Sequence, residues 1–125
     1  MIVGIGVDIA ETARVERLSE KFGKRFARRI LTSDELLEFD RRGNASSYLA
    51  TRFAAKEAVA KALGTGIGKS LGFHSVQIDN DTKGKPRLRF LGDAVKLVAS
   101  LDINNAMISL SDEKHYVVAM VVLET

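Results

Sequence analysis

The stretch FAAKEAVAKALGTG, residues 53–66, decides the fold predicted for this chain. Alanine, lysine, glutamate and leucine are strong helix formers. The helical pattern extends back to about Ser46 and forward to Leu63. Gly64 follows at the position where a left-handed glycine commonly caps a helix. We therefore predict one long helix over residues 46–63 that ends at the run of glycines.

The charged residues of this helix stand among small side chains, which predicts a surface that a ligand can approach closely. The small neighbours are Ala54, Ala55, Ala58, Ala60 and Ala62. Glu57 and Lys61 are four residues apart and share one helix face. One interpretation is an anion-handling site. The other is a simple ion pair, worth about 0.2–0.5 kcal/mol.

Composition sets broad limits on the class of protein. With 125 residues, 46% hydrophobic and 28% charged, the chain is predicted to be one globular domain over 1–125. It has no cysteine, which excludes disulfides and thiolate chemistry and fits a cytoplasmic location. The first apolar run stops at Asp8, so we predict neither an export signal nor a membrane span. The net charge of +3 favours an acidic partner.

The rest of the chain divides into helices in the first half and mainly strands in the second. The apolar patterns predict a buried strand over 2–9, a helix over 12–22 with an extension past Gly23, a helix capped near Thr32, a hairpin of strands over 74–79 and 87–91, a helix over 92–101, and two last strands over 106–111 and 117–123. The last strand is apolar throughout, so we predict that both of its faces are buried.

Basic residues cluster between positions 14 and 29. Five positions spaced three or four apart would form one charged stripe on a continuous helix: Arg14, Arg17, Lys21, Lys24 or Arg25, and Arg28. The stripe is either a docking surface for an acidic partner or an ordinary solvated face. Few aromatic residues accompany it, so binding of single-stranded nucleic acid is not predicted.

Two acidic residues, Asp8 and Glu57, lie among small neighbours rather than among other charges. Carboxylates in this setting suit Mg²⁺, which prefers oxygen ligands together with water and substrate phosphates. The alternative for Asp8 is a helix cap or turn residue. The two histidines, His74 and His115, are too few for a zinc site.

Three segments in order resemble the holo-[acyl-carrier-protein] synthases of the 4′-phosphopantetheinyl transferase superfamily. They are GIGVDI (4–9), RFAAKEA with the following KA and GTG (52–66), and ND with GKP (80–86). The resemblance implies an α+β fold in which a small antiparallel sheet packs with a long central helix and additional helices. It also implies a homotrimer with active sites at subunit interfaces.

The implied activity is transfer of 4′-phosphopantetheine from coenzyme A to a serine of apo-acyl carrier protein, releasing adenosine 3′,5′-bisphosphate, in fatty acid biosynthesis. Asp8 and Glu57 match the family's Mg²⁺ ligands, and Lys61 matches a lysine that contacts the coenzyme A phosphates. These three are the predicted catalytic residues. The rival hypothesis is a non-catalytic basic module that docks acidic carrier-like proteins, with Glu57 merely paired to Lys61.

The resemblance also assigns secondary contacts. The further candidates for coenzyme A binding are Arg52, Gly64, Thr65, Lys85, Pro86 and Ser111, and those for carrier-protein binding are Arg14, Arg17, Lys21 and Arg28. The chain departs from the family at Asp112, where many members have histidine. Since Asp112 would repel nucleotide phosphates, we expect Ser111 or a basic residue of a neighbouring subunit to compensate.

Overall fold

The computed structural model describes all 125 residues and contains five α-helices and five strands. In chain order the elements are β1 (Ile2–Glu11), α1 (Thr12–Phe22), α2 (Lys24–Ile30), α3 (Ser33–Arg41), α4 (Ser46–Leu63), a 3₁₀ turn (Phe73–Ser75), β2 (Val76–Asn80), β3 (Pro86–Phe90), α5 (Asp93–Ser100), β4 (Asn105–Asp112) and β5 (Tyr116–Glu124). None of the helices combines the length and apolar character needed to span a bilayer.

The strands form two antiparallel sheets. β5 lies at the centre of the larger sheet, in the order β1-β5-β4, and β2 pairs with β3 in a separate hairpin. The long helix α4 packs across the larger sheet against β1 and β5. This arrangement confirms the predicted α+β fold with a long central helix, and α4 has the predicted bounds.

The alanines of α4 lie in the core rather than on an open surface. Ala54, Ala55, Ala58 and Ala60 are at most 1% exposed. The prediction that they leave room for a ligand was therefore wrong. Their small side chains instead let the sheet and the other helices pack closely around α4.

Two glycines bring β1 into direct contact with α4. A Cβ atom built on Gly4 would lie 2.2 Å from the carbonyl oxygen of Ala62, and one on Gly6 would lie 2.0 Å from that of Ala58. Real Cβ atoms do not approach a carbonyl this closely, so only glycine permits the spacing. The contact holds the next residues of β1 beside the C-terminal half of α4.

The larger sheet is covered on one face only, which corrects two predictions. β1 is not a buried strand, because Ile2, Val3, Ile5, Val7 and Ile9 are each 49–63% exposed. β5 is not buried on both faces: Val117, Ala119, Val121 and Leu123 face α4, whereas Met120 is 42% exposed on the opposite side. An apolar run alone does not reveal that one face of its sheet lacks a partner within the chain.

The basic segment is broken at Gly23. This residue has a φ of 61°, and it separates α1 from α2. The single continuous stripe predicted for residues 14–28 is therefore not formed, because Arg28 lies on a different helix from Arg14. The predicted cap at Thr32 is confirmed by a capping box with Glu35 at the start of α3.

Candidate active site

Asp8 and Lys61 meet where β1 passes the end of α4. Lys61 Nζ donates hydrogen bonds to Asp8 Oδ1 and to the Val7 carbonyl oxygen, both at 3.0 Å. The Asp8 side chain is 15% exposed and that of Lys61 is 55% exposed. Lys61 forms its ion pair with Asp8, and no ion pair joins it to Glu57 on its own helix. The simple Glu57–Lys61 pair considered from the sequence is thus absent.

Glu57 lies one helical turn before Lys61 and shares a cavity with Asp8. The cavity has a volume of about 460 Å³, and Arg14 is among its other lining residues. Burial raises the pKa of the Glu57 carboxyl, the charge of Asp8 raises it further, and Lys61 opposes the change. The two carboxylates therefore repel one another, and the site favours a cation between them.

The donor set fits a magnesium ion that is bound jointly by protein and substrate. No group of three or more His, Cys, Asp or Glu side chains converges anywhere in the molecule. A site with two carboxylates is incomplete for an all-protein cage, but Mg²⁺ commonly uses one or two carboxylates together with water and substrate phosphates. Asp8 and Glu57 are the residues that would hold it.

An apolar groove continues from this cavity along α1 and α2. A second cavity of about 590 Å³ shares Leu18, Phe26 and Phe53 with the first, and six of its eight lining residues are hydrophobic. Arg25 and Arg29 line its edge. The carboxylates thus lie at one end of a long surface that combines apolar and positively charged groups.

The predicted carrier-binding residues are all exposed but lie in different surroundings. Arg14 lines the cavity of Asp8 and Glu57. Arg17 Nη2 lies 3.5 Å from Glu11 Oε1, and the Lys21 ammonium lies 5.2 Å from the centre of the Phe22 ring. Arg28 lines a separate cavity on the side of His74 and Gln77.

Arg52 does not join Asp8 and Glu57. It is 5% exposed, its guanidinium carbon lies 4.2 Å from the centre of the Tyr48 ring, and it donates to Asn80 Oδ1 at 2.7 Å. Its Nε is buried without a hydrogen-bond partner. The side chain lines another cavity, of about 490 Å³.

Sequence reasoning missed three residues around Arg52, namely Arg41, Arg42 and Tyr48. All three line the same cavity as Arg52. Arg41 and Arg42 both bind Glu38 and lower the pKa of its carboxyl to about 2. Two adjacent arginines before a glycine were visible in the sequence, but nothing there indicated that they share a cavity with Arg52.

The other predicted coenzyme A contacts lie outside the cavity of Asp8 and Glu57. Pro86 pairs with Asn80 in the β2–β3 hairpin, so it lies near Arg52, and Lys85 is exposed beside it. Gly64, with a φ of 75°, ends α4 in the predicted left-handed conformation, and Thr65 follows it. Ser111 and Asp112 are exposed at the end of β4.

Lys56, the neighbour of Glu57, faces the opposite way. It is fully buried, and its Nζ donates to Glu35 Oε1 at 2.6 Å, the Ile30 carbonyl at 2.7 Å and the Phe73 carbonyl at 2.9 Å. Burial lowers the pKa of the Lys56 ammonium, and Glu35 opposes that change. We call Lys56, Glu35 and these bonded groups the buried hub. Lys56 is thus part of the fold and has no access to a ligand.

Comparison with known proteins identifies the class of protein that carries this fold and site. The sequence model of the 4′-phosphopantetheinyl transferase superfamily matches residues 4–121. The match covers most of β1, all the helices and most of β5, and it includes Asp8, Glu57 and Lys61. The class is therefore that of the phosphopantetheinyl transferases.

Individual relatives give the narrower assignment. The chain is 51% identical over 124 residues to a holo-[acyl-carrier-protein] synthase of Vibrio cholerae, covering 99% of this chain and 98% of the relative. The crystal structure of the Neisseria meningitidis holo-[acyl-carrier-protein] synthase superposes with a TM-score of 0.95 at 47% identity, covering 100% of both chains. The Helicobacter pylori enzyme, solved in complex with coenzyme A, gives a TM-score of 0.86 at 32% identity, with 96% and 99% covered. The chain belongs to the holo-[acyl-carrier-protein] synthase family.

This membership confirms the resemblance found in the sequence and makes the chain a transferase. The rival hypothesis of a non-catalytic docking module receives no support from these relatives.

Proposed function

We propose that the site at Asp8, Glu57 and Lys61 transfers 4′-phosphopantetheine from coenzyme A to a serine of apo-acyl carrier protein, as required for fatty acid biosynthesis. The observation that carries this proposal is the convergence of two carboxylates, Asp8 and Glu57, at a single cavity, from a strand and a helix distant in sequence. The Lys61 ammonium donates a hydrogen bond to the first of them. The reaction joins the serine oxygen to the phosphorus and releases adenosine 3′,5′-bisphosphate.

Each of the three residues has a distinct role in this proposal. Asp8 and Glu57 hold Mg²⁺, which withdraws charge from the phosphoryl group and stabilises the leaving phosphate when it is bound. Lys61 binds the pyrophosphate of coenzyme A with its exposed ammonium. Glu57 accepts the proton of the acceptor serine, and the rise in its pKa makes it a stronger base than an ordinary glutamate.

The nucleotide end of coenzyme A is assigned to the surface around Arg52. Its phosphate is attracted by Arg52 and Lys85, and Pro86 packs against the adenine. Gly64, Thr65 and Ser111 supply the remaining contacts. Because Arg52 and Asp8 line different cavities of one chain, we propose that two chains build each complete site.

A homotrimer satisfies this requirement. The exposed face of the larger sheet carries apolar side chains from β1, together with Met107 and Met120, which are 44% and 42% exposed. Such a contiguous apolar face favours association with other protein surfaces. Packing of three copies through these faces would cover it.

The carrier protein is assigned to the basic surface of α1 and α2. Arg14, Arg17, Lys21 and Arg28 are exposed there. Attraction between this surface and an acidic carrier speeds association and weakens as the salt concentration rises. We further propose that residues 1–125 act as one domain and that the enzyme works in the cytoplasm without nucleic acid or membrane as a partner.

Intact mass spectrometry of an apo-acyl carrier protein tests the proposal. The carrier is incubated with this chain, coenzyme A and Mg²⁺. We expect a mass gain of one phosphopantetheine arm. The gain should disappear with EDTA and with a carrier whose acceptor serine is alanine.

Glu57→Gln is the matched variant for the same assay. We expect it to abolish transfer while the carrier still binds. If the carrier is modified equally well by the variant, Glu57 is not catalytic. If the unaltered chain fails with a carrier that another transferase modifies, the docking module becomes the better explanation.

A further inference from the structure

Lys61 is paired with Asp8, one of the two carboxylates that a metal ion would need. Its Nζ lies 3.0 Å from Asp8 Oδ1, and no other side chain forms an ion pair with Asp8. The second bond of Nζ, to the Val7 carbonyl, anchors the ammonium on β1. In the free chain, Lys61 is therefore the cation that neutralises Asp8.

This position conflicts with the role of Lys61 toward phosphate. Asp8 and the Val7 carbonyl take two of the three donor hydrogens of the ammonium, so only one is left for the several acceptor oxygens of a pyrophosphate group. The Lys61 side chain is 55% exposed and has a flexible stem, so it is free to reorient. Asp8 is only 15% exposed and belongs to a strand fixed by Gly4 and Gly6. When ligands bind, Lys61 is the partner that moves.

We propose that Lys61 is a placeholder cation that Mg²⁺ must displace from Asp8 and that the pyrophosphate of coenzyme A draws away, so that the metal and coenzyme A promote each other's binding. The inference rests on the proposed function. Allosteric linkage makes the effect reciprocal: whatever coenzyme A adds to metal affinity, the metal adds to coenzyme A affinity.

Electrostatics gives the direction of the effect. In the free chain the charge of Lys61 offsets one of the two carboxylates and so weakens attraction for Mg²⁺. Once a phosphate attracts the ammonium, both Asp8 oxygens are available and the local charge becomes more negative. A neutral residue at position 61 would leave Asp8 available at all times.

Isothermal titration of the full chain with MgCl₂, with and without coenzyme A and with no carrier protein present, tests this inference. No turnover occurs under these conditions, so the readout is binding alone. We expect Lys61→Met to bind Mg²⁺ about tenfold more tightly than the unaltered chain when coenzyme A is absent, within the usual range of coupling between sites. The gain in Mg²⁺ affinity that coenzyme A produces should shrink by about the same factor.

Two further variants serve as controls. Lys96→Met removes an exposed lysine of α5 that has no ion-pair partner, and it should leave Mg²⁺ binding unchanged. Lys61→Gln removes the same charge with a polar side chain and should reproduce the effect of Lys61→Met.

The outcomes separate this inference from the proposed function. If Asp8→Asn and Glu57→Gln each weaken Mg²⁺ binding but Lys61→Met does not strengthen it, the metal site stands and the placeholder role is refuted. If none of these substitutions changes Mg²⁺ binding, the metal role fails and the placeholder role fails with it.

Discussion

Two lysines of α4, five positions apart, show how differently one helix can use the same side chain. Lys56 is fully buried and bonds to groups from α3, α2 and the 3₁₀ turn. Lys61 is 55% exposed and bonds only to β1. The Lys56 ammonium is fully bonded inside the protein, while the Lys61 ammonium remains accessible to a ligand.

The carboxylates of the buried hub and of the candidate site also differ, in how fully their charges are paired. In the buried hub, Glu35 Oε1 accepts from the Thr32 amide at 2.9 Å and Oε2 accepts from the Ile78 amide at 2.8 Å, in addition to the bond from Lys56. In the site, the Lys61 ammonium pairs with Asp8 and forms no ion pair with Glu57, whose pKa rises as a result of burial and of the Asp8 charge. The hub is electrically balanced, whereas the site is left short of positive charge.

Removing the hub lysine should have the largest effect on stability. Lys56→Met leaves the Glu35 carboxylate buried without its cation, which costs about 3–5 kcal/mol of unfolding free energy. Urea denaturation followed by circular dichroism measures the loss. The matched change Lys61→Met breaks a partly exposed ion pair and should cost about 1 kcal/mol or less. Equal losses in the two variants would contradict the distinction between hub and site.

Adding a methyl group between β1 and α4 should have the next largest effect on the free energy of unfolding. Gly6→Ala places a Cβ against the Ala58 carbonyl, so β1 must shift, and overpacking of this kind costs about 1–3 kcal/mol. The same denaturation assay measures it, and Mg²⁺ titration should show weaker binding because Asp8 moves with the strand. Gly68→Ala is the control, since its added methyl group would meet no atom within 4 Å. An unchanged Gly6→Ala variant would show that the contact does not fix Asp8.

Removing the charge of Glu57 should have the smallest effect on stability, and it should increase stability rather than decrease it. The folded chain raises the pKa of Glu57, so ionisation of this group at neutral pH opposes folding. Glu57→Gln removes that penalty and should raise Tm by about 2 °C at pH 7 in EDTA. The difference should fade as the pH falls below about 4.5, the ordinary value, because Glu57 is then protonated in both states. Thermal scans across this pH range measure it, and a lower Tm at pH 7 would refute the interpretation.

Much of the architecture was predictable from the sequence. Helix propensity and the glycine after Leu63 placed α4 correctly, and apolar runs, one alternating segment and turn-forming residues located the strands. The direction in which strands face was not predictable, because the exposed side of β1 is as apolar as a core strand. The identities of the site residues came from the resemblance, while the meeting of Asp8 with Glu57 and Lys61 depends on tertiary contacts that spacing does not encode.

The different roles of Lys56 and Lys61 were not predictable from the sequence either. Lys56 and Lys61 both stand among alanines, and no local pattern separates them. The difference arises from what packs on each face of α4. Three buried carbonyl or carboxylate groups surround Lys56, whereas Lys61 meets only β1 and stays 55% exposed. Only the folded chain contains that information.

The close contact of Gly4 and Gly6 with α4 has a consequence for protein engineering. Asp8 and Glu57 cannot be grafted onto another scaffold as two side chains, since their separation is set by backbone atoms of strand and helix that touch without an intervening side chain. A transplanted site would need β1 and α4 together, as a single block with both glycines and the alanine carbonyls they meet.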